Sequence, residues 1–494
     1  MNLQNKDRAA GMGTLLAFQN IVGGRRAGAQ DGRTLEVVCP SDGRAFAAIP
    51  RSGAAEIEAA VAAARQAFES GPWGRLTALE RGRLLVKLGE AVLAHEDELA
   101  ALESRDTGKP LKQGRADIVA AARYFEFYGT AADKVHGETL PFLNGYTAVV
   151  FREPFGVTAH IIPWNYPAQV FGRSVAASLA MGNACVVKPA EDACLTPLRF
   201  AELALEVGFP EGALNIVTGL GEEAGAALSA HPGIDFISFT GSPEVGTLIQ
   251  TAAARNHIGC TLELGGKSPQ VLFADADIAT AAPVVIAAIV QNGGQTCSAG
   301  SRVLIERSAY DRFVTAIADR FAAVRAGPHD MDLDLGAMIN AKQKQRVEGF
   351  VARARDEALP VVAQGEVVAG APAEGFYVTP TLFGPVPAAN RLACEEVFGP
   401  VLAVMPFEDE ADAVRLANGT PYGLVASVWT HDGARQMRMV KALRAGQVFV
   451  NSYGAGGGIE LPFGGFKKSG HGREKGFEAL YEFSTTKTAV LKHG

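Results

Sequence analysis

The chain has 494 residues, of which 48% are hydrophobic and 20% are charged, a composition that can bury large cores. It excludes a disordered chain, a coiled coil and a collagen, and the length predicts about three domains of ~150 residues each. The formal net charge is −7 and no long basic run is present, so neither nucleic acid nor an anionic membrane is an expected partner.

The first elements of the chain are predicted to be helical. Residues 54–70 and 76–104 are rich in Ala, Leu, Glu and Arg at helical spacing, and residues 117–132 continue this character. Residues 133–154 differ, because Pro, Gly and Asn turns flank the β-like segment TAVVF. This pattern predicts a hairpin.

From residue 155 short apolar strands alternate with helices, which predicts a doubly wound parallel sheet with right-handed crossovers. The five predicted strands are 157–162, 184–187, 214–217, 236–240 and 261–264, and the helices between them are 167–180, 195–207, 222–230 and 242–253. A second α/β run follows, with helices at 279–292, 310–324 and 341–357 and strands at 301–306, 401–406 and 448–451. The tail, 485–492, alternates like an edge strand, and such strands usually pair, so we expect an oligomer.

Two glycine-containing turns are candidates for binding a dinucleotide. Gly219 and Gly221 follow a strand, but Ala224 stands where the GxGxxG pattern requires glycine. Gly241 and Ser242 end a strand and begin a helix, whose N–H groups and dipole favour phosphate. Each segment is also compatible with a plain strand-to-helix turn.

Several catalytic classes are excluded by their motifs. The segment TLELGGKS (261–268) lacks the first glycine of a P-loop and places Glu263 where phosphates would lie, so we reject an NTPase. The chain contains no GxSxG, HExxH or CxxC sequence, and no metal site is predicted.

The six cysteines are too sparse for a disulfide scaffold and favour a reducing compartment. Residues 1–13 lack the apolar core of a signal peptide. The apolar stretch 279–290 contains a proline and is too short to span a bilayer. We therefore expect a soluble cytoplasmic protein.

Three residues are candidates for catalysis. Cys297 follows a predicted helix in a loop of small residues, where a thiol is accessible, although a lone cysteine is usually an inert apolar residue. Glu263 ends an apolar strand between two leucines, as a structural partner or as a base of raised pKa. Asn165, in PWNYP, is suited to cap a helix or to donate to an oxyanion.

Lys188 and Glu191 lie at the end of another predicted strand. They are suited to hydrogen-bond the hydroxyl groups of a ribose, or to form a surface ion pair.

Seven segments, in this order, resemble the aldehyde dehydrogenase superfamily. They are PWNYP (163–167), KPAE (188–191), FTGS (239–242), LELGGKS (262–268), GQTCSAG (294–300), EEVFGP (395–400) and PFGGFKKSG (462–470). The resemblance implies a Rossmann-like NAD-binding domain (1–132 and 155–265), an α/β catalytic domain (266–466), and a small β element for bridging and oligomerisation (133–154 and 480–494). It also implies a homodimer or homotetramer.

The resemblance further implies NAD-dependent oxidation of an aldehyde to a carboxylic acid. Cys297 would be the nucleophile, Glu263 the base that activates water, and Asn165 with the Cys297 backbone N–H the oxyanion site. The cofactor contacts carried over are Lys188 and Glu191 (adenosine ribose), Ser242 (pyrophosphate), Glu396 (nicotinamide ribose) and Phe398 (nicotinamide). Gly221, Gly241 and Trp164 are also implied to bind the cofactor.

Two alternatives to this reaction remain open. The first is transfer of the acyl group to coenzyme A, which the presence of Glu263 disfavours. The second is a non-catalytic NAD-binding protein, which the presence of all three catalytic residues disfavours. The Glu191 carboxylate would repel a 2′-phosphate, so NAD is preferred to NADP.

The resemblance implies that one helix face and one loop line the substrate tunnel. Asn165, Gln169 and Arg173 are spaced i, i+4 and i+8, which would place Arg173 about 12 Å along the axis, where it would receive a carboxylate or a polar ring group. The alternative for Arg173 is a structural salt bridge. Tyr166 and Phe463 would supply aromatic walls, and the glycine-rich segment 454–458 a wide entrance. These features point to a semialdehyde or an aromatic aldehyde.

Overall fold

The computed structural model describes residues 15–454 and 458–494, and their strands form two large sheets and three small ones. Residues 1–13 and most of the glycine-rich segment 454–458 therefore lie outside the described residues. The longer helices are Ala54–Glu69, Ala78–Ala94, Glu96–Thr107, Leu111–Ala131, Leu195–Glu206, Pro243–Arg255, Ile278–Val290, Tyr310–Phe321, Ala341–Asp356, Glu410–Asn418 and Gly433–Ala442. The shorter ones are Pro167–Val170, Ala176–Met181, Ala226–Ala230, Arg391–Cys394 and Glu478–Glu482.

The first sheet has eight strands and contains all five strands predicted between residues 155 and 265. Its spatial order is Gly470–His471, Gly259–Glu263, Phe236–Thr240, Val157–Ile162, Ala184–Pro189, Leu214–Ile216, Asn20–Val22 and Arg25–Ala27. The five central strands are parallel, and the order reverses on either side of Val157–Ile162. This confirms the doubly wound arrangement, whose switch point is where such sheets bind ligands.

The second sheet has seven strands. In spatial order they are Val361–Gln364, Thr381–Phe383, Val401–Phe407, Arg302–Glu306, Pro269–Leu272, Val425–Trp429 and Gln447–Val450. All neighbours are parallel except the first pair. Strand Pro269–Leu272 lies near the middle of this sheet but was not predicted from the sequence, because only four residues separate the turns that flank it.

The third sheet joins the predicted hairpin to the tail of the same chain. Strands Glu138–Leu140 and Tyr146–Pro154 pair antiparallel, and Ser484–Lys492 pairs with the second from Ser484 opposite Pro154 to Lys492 opposite Tyr146. Several of its apolar side chains are exposed: Leu140, Phe142, Leu143, Phe151, Val490 and Leu491.

The strands before residue 54 were not assigned from the sequence. Besides the two that extend the first sheet, Leu16–Ala17, Thr34–Cys39 and Arg44–Pro50 form a small three-stranded sheet. The last sheet pairs Arg325–Ala326 with Glu366–Val367. Strands of two or three residues carry too few positions for alternation to show. Thr34–Cys39 and Arg44–Pro50, with six and seven residues, are as long as the predicted strands and were missed.

Three predicted helices differ from the structure. The single helix predicted over 76–104 is wrong, because His95 interrupts it between Ala78–Ala94 and Glu96–Thr107, with φ −109° and ψ 21°. The regular helices predicted over 167–180 and 222–230 are also wrong, because Phe171–Val175 and Gly221–Gly225 form π-helical turns. In the described residues no helix combines the length and apolarity needed to cross a membrane.

One hydrophobic core packs on the first sheet, and other buried apolar residues pack on the second sheet. The first core contains residues between Ile21 and Leu264 together with Ala479, Leu480 and Phe483. The start of the segment predicted to bridge subunits, 480–494, therefore packs on the first sheet. The assignment of domains to functions remains a prediction.

Candidate active site

The candidate catalytic residues meet where the two large sheets face each other. Thr240 and Glu263 are partners at the carboxyl ends of adjacent parallel strands, and Asn165 follows the next strand, Val157–Ile162. Cys297 comes from the other side, after Ile278–Val290. The loop before it reverses through left-handed backbone at residues 292–294, with φ 50°, 62° and 73°. Glycine occupies two of these three positions, and glycine adopts left-handed backbone without the strain that a Cβ causes.

Cys297 lies at the junction of two cavities. One, which we call the groove, has a volume of about 550 Å³ and is lined by Trp164, Ser242, Glu263, Glu396 and Phe398 among others. The other, which we call the aromatic cavity, has a volume of about 430 Å³ and is lined by Tyr124, Tyr166, Phe449, Tyr453 and Phe463 among others. Asn165, Thr240 and Cys297 line both. A reacting atom at Cys297 is therefore accessible from two directions.

Asn165 is held from its side chain and from its backbone. Its Nδ2 donates to the carbonyl of Gln295 at 2.9 Å, which leaves the second amide hydrogen for another acceptor. Its own carbonyl accepts from Nζ of Lys109 at 3.0 Å and from Nδ2 of Asn292 at 2.8 Å. Asn165 is thus fixed beside Cys297.

Lys109 belongs to a fully buried ionic cluster that the sequence analysis missed. Its Nζ lies 2.5 Å from Asp117 and 3.2 Å from Glu103, and 4.6 Å from the centroid of the Tyr166 ring. A lysine between a glycine and a proline gives no local sign of burial, so only the tertiary structure identifies it. The cluster supports the loop that carries Asn165.

Burial favours the neutral forms of the two reacting groups. It raises the pKa of the Cys297 thiol to about 11, against the opposing effect of Arg173. It also raises the pKa of Glu263 well above its ordinary value, and the carboxylate of Glu474 acts in the same direction. Neither carboxyl oxygen of Glu263 has a hydrogen-bond partner among the described residues. This environment disfavours the charged carboxylate, so a carboxylate that forms there is strongly basic.

The predicted cofactor residues fall into two neighbouring groups. Trp164, Gly241, Ser242, Glu396 and Phe398 line the groove. Ser242 caps Pro243–Arg255 by accepting from the Val245 N–H at 3.3 Å. Oε1 of Glu396 accepts from the Gly266 N–H at 2.9 Å, and burial raises the pKa of this carboxyl to about 7. The rings of Trp164 and Phe398 meet edge to face at 5.4 Å.

The second group lies at the carboxyl end of strand Ala184–Pro189. Nζ of Lys188 donates to Glu191 at 2.8 Å, and the Lys188 side chain is buried whereas that of Glu191 is 30% exposed. Gly221 begins the turn Gly221–Gly225, and a Cβ added there would meet no atom within 4 Å. The carboxylate and the open space at Gly221 are accessible to a ligand.

All four predicted substrate residues line the aromatic cavity, but their polar groups are engaged. Gln169 donates to Asp117 at 2.6 Å, and the Tyr166 hydroxyl lies 2.9 Å from Oγ1 of Thr296. Nε of Arg173 lies 2.5 Å from Glu474, and its guanidinium is 5.3 Å from the Phe463 ring centroid. Asn165, Gln169 and Arg173 do not share the predicted face of one regular helix. The helix begins at Pro167, after Asn165, and changes to the π-helical turn that contains Arg173.

Glu474 and Lys475 were not identified from the sequence. They lie five and six residues beyond Ser469, outside the segment PFGGFKKSG, and face the catalytic region from the far end of the chain. No local pattern distinguishes them from surface charges.

The aldehyde dehydrogenase family model matches residues 27–489. The chain belongs to the aldehyde dehydrogenase family. It is 41% identical over 456 residues to (Z)-2-((N-methylformamido)methylene)-5-hydroxybutyrolactone dehydrogenase of Acinetobacter baylyi, covering 92% of this chain and 93% of that one. It is 40% identical to human retinal dehydrogenase 2, over 94% of this chain and 89% of that one. The predicted resemblance is confirmed.

Solved structures agree with this family and this fold. The structure of a Burkholderia cenocepacia protein assigned as an aldehyde dehydrogenase is 63% identical, with a TM-score of 0.96 over 96% of this chain and 100% of that one. NAD-dependent aldehyde dehydrogenase from Sinorhizobium meliloti is 37% identical, with a TM-score of 0.94 over 97% and 96%. This aldehyde dehydrogenase therefore shares the Rossmann-like and catalytic α/β folds of its relatives.

Proposed function

We propose that this aldehyde dehydrogenase oxidises an aldehyde to a carboxylic acid with NAD, through a thioester on Cys297 that water hydrolyses. The observation that carries the proposal is the position of Cys297, where the groove and the aromatic cavity meet beside Asn165. An aldehyde in one cavity and a nicotinamide in the other would reach the same atom. Relatives support the cofactor, since the Staphylococcus aureus betaine aldehyde dehydrogenase structure contains NAD⁺.

The residues of the groove fit a dinucleotide. A Cβ at Gly265 would lie 2.2 Å from Oε2 of Glu396, so glycine allows that carboxylate to form part of the wall. The N-terminus of Pro243–Arg255 offers N–H groups to a pyrophosphate. Burial acts to raise the pKa of Glu191, but Lys188 outweighs it and the pKa is lowered. A carboxylate there accepts hydrogen bonds from a ribose and repels a 2′-phosphate, which favours NAD over NADP.

Cys297 begins the reaction by adding its sulfur to the aldehyde carbon. Its thiol is neutral in the free site, so its proton passes to solvent water as the C–S bond forms. The resulting negative charge on oxygen accepts hydrogen bonds from the Asn165 amide and the Cys297 backbone N–H, each contributing about 3 kcal/mol. Bound NAD supplies the hydride acceptor.

Glu263 then serves as the base for hydrolysis. Its buried carboxyl group has a raised pKa, so the carboxylate that does form is strongly basic. It removes a proton from water, the hydroxide oxygen attacks the thioester carbon, and the C–S bond breaks. The products are the carboxylic acid and the restored Cys297 thiol.

A panel of aliphatic, aromatic and carboxylated aldehydes, assayed with NAD and NADP for absorbance of the reduced cofactor, tests this function. Product analysis with and without coenzyme A separates hydrolysis from acyl transfer. We expect free acid in both cases and faster reduction of NAD. Formation of an acyl-coenzyme A, or no reduction with any aldehyde, would contradict the proposal.

We also infer that the chain self-associates through its third sheet, as a dimer or a tetramer. Phe142, Phe151, Val490 and Leu491 leave between 46% and 57% of their surface exposed there, and apolar groups clustered on one small sheet favour a protein partner. Light scattering should show a smaller particle for Leu491→Asp than for the parent. A cytoplasmic location remains part of the proposal.

A further inference from the structure

The buried side chain of Asn292 joins the loop that carries Cys297 to the loop that carries Asn165. Its Nδ2 donates to the backbone carbonyl of Asn165 at 2.8 Å and makes a longer contact of 3.4 Å with the carbonyl of Gln295. Only 3% of Asn292 is exposed, and its amide has two hydrogens, one for each carbonyl. Asn165 follows a strand of the first sheet, whereas Gln295 follows helix Ile278–Val290, so this side chain connects the two sides of the site.

The backbone of Asn292 is itself held in place. It has left-handed dihedral angles, φ 50° and ψ 33°, which asparagine adopts more readily than most residues with a Cβ. Its N–H donates to Oε1 of Gln113 at 3.1 Å. Its carbonyl accepts from the backbone N–H and from Nε2 of Gln295, both at 3.1 Å. The Asn292 amide therefore reaches Asn165 from a fixed starting point.

The same contacts set the direction of the amide of Asn165. Its Nδ2 donates at 2.9 Å to the carbonyl of Gln295, which is the carbonyl that Asn292 also approaches. Because an amide group is planar, fixing one of its N–H bonds fixes the direction of the other. In the proposed function this second N–H and the backbone N–H of Cys297, two residues after Gln295, are the donors to the oxyanion.

We propose that Asn292 is a positioning residue that sets the amide of Asn165 and the backbone N–H of Cys297 at the separation that one oxyanion requires. Asn292 is not among the described residues that line the groove or the aromatic cavity, so it acts through Asn165 rather than on a ligand. This inference rests on the proposed function, because the oxyanion forms in that reaction.

Removing the Asn292 amide should displace Asn165 without leaving a buried carbonyl unpaired. The Asn165 carbonyl keeps its hydrogen bond from Nζ of Lys109 at 3.0 Å, and the Gln295 carbonyl keeps the one from Asn165. The stability cost is therefore limited. The catalytic cost is larger, because a shift of about 1 Å between reacting groups lowers a rate about hundredfold.

Two variants of Asn292 and a matched control test the proposal. Asn292→Gly and Asn292→Ala both lack the amide, but glycine fits the left-handed backbone and alanine is strained there, so Asn292→Ala should be the less stable of the two. The control is His257→Gly, at another left-handed residue, with φ 56°, which is exposed beyond the end of Pro243–Arg255. The first-order rate constant of NADH formation is measured by rapid mixing, with saturating NAD and enzyme in excess over aldehyde.

We expect this rate constant to fall roughly tenfold to hundredfold in both Asn292 variants, by the same factor in each, and to stay unchanged in His257→Gly. The dissociation constant of NAD should not change in any of them. The melting temperatures of the two Asn292 variants should differ even though their rates agree. An unchanged rate constant in both, or a loss that follows the melting temperature rather than the amide, would overturn the proposal.

A double-mutant cycle tests whether Asn292 acts through Asn165. In an Asn165→Ala background, adding Asn292→Gly should slow NADH formation by less than about threefold more, because the amide to be positioned is already gone. A further loss as large as in the parent would also overturn the proposal.

The ester 4-nitrophenyl acetate tests the same residue without NAD. The Cys297 sulfur adds to its carbonyl carbon, an oxyanion forms, and nitrophenolate leaves as the acetyl group stays on sulfur. Release of nitrophenolate should slow by the same factor in Asn292→Gly, and equal release from parent and variant would contradict the proposal. If the parent reduces no NAD with any aldehyde, the proposed function fails, while the ester comparison still decides the role of Asn292.

Discussion

The groove and the aromatic cavity meet at Cys297 but are built from different kinds of structure. One side of the groove takes Thr240, Ser242 and Glu263 from the carboxyl ends of neighbouring strands and from a helix N-terminus, and its other side takes Gln343, Glu396 and Phe398 from distant parts of the chain. The aromatic cavity takes Tyr124 from a long helix, Arg173 from a π-helical turn, and other residues from loops near the end of the chain. The topology of the first sheet fixes one side of the groove, whereas long-range packing fixes its other side and the aromatic cavity.

This difference explains what the sequence could and could not predict. Glu263, Ser242 and Cys297 each lie in a short segment that was recognisable only together with the others, by their order along the chain. Arg173 lines the aromatic cavity, but its partner Glu474 is some three hundred residues away and no local pattern joins them. Lys109 and Lys475 have the same difficulty, because burial and partner choice arise only when distant segments pack.

The largest expected effect concerns the residue that the two cavities share. Replacing Cys297 by alanine should lower kcat/KM by about 10⁴-fold or more, because no other group forms the covalent intermediate. NAD binding, measured by fluorescence quenching, should persist, since the groove is intact. Cys260→Ala, at the opposite end of strand Gly259–Glu263, is the matched control and should retain activity. Full activity in Cys297→Ala would contradict the proposed thioester on Cys297.

The next effect separates the two halves of the reaction. Glu263→Gln keeps the shape of the side chain but removes the base, so the thioester should form normally and hydrolyse about 10²- to 10⁴-fold more slowly. Rapid mixing should show a burst of about one NADH per active site, followed by slow turnover. Hydroxylamine, which attacks thioesters without a protein base, should restore turnover. Loss of the burst itself would instead assign Glu263 to thiol activation.

A smaller effect tests whether the buried ionic cluster around Lys109 stabilises the structure beside the aromatic cavity. Lys109→Met leaves Glu103 and Asp117 buried without their shared cation, which should lower the free energy of unfolding by about 3–5 kcal/mol. Lys112→Met, three residues away and exposed, should change it by about 0.5 kcal/mol or less. Urea denaturation monitored by fluorescence compares the two. Equal stabilities would mean that the buried cluster is not needed to hold the Asn165 loop.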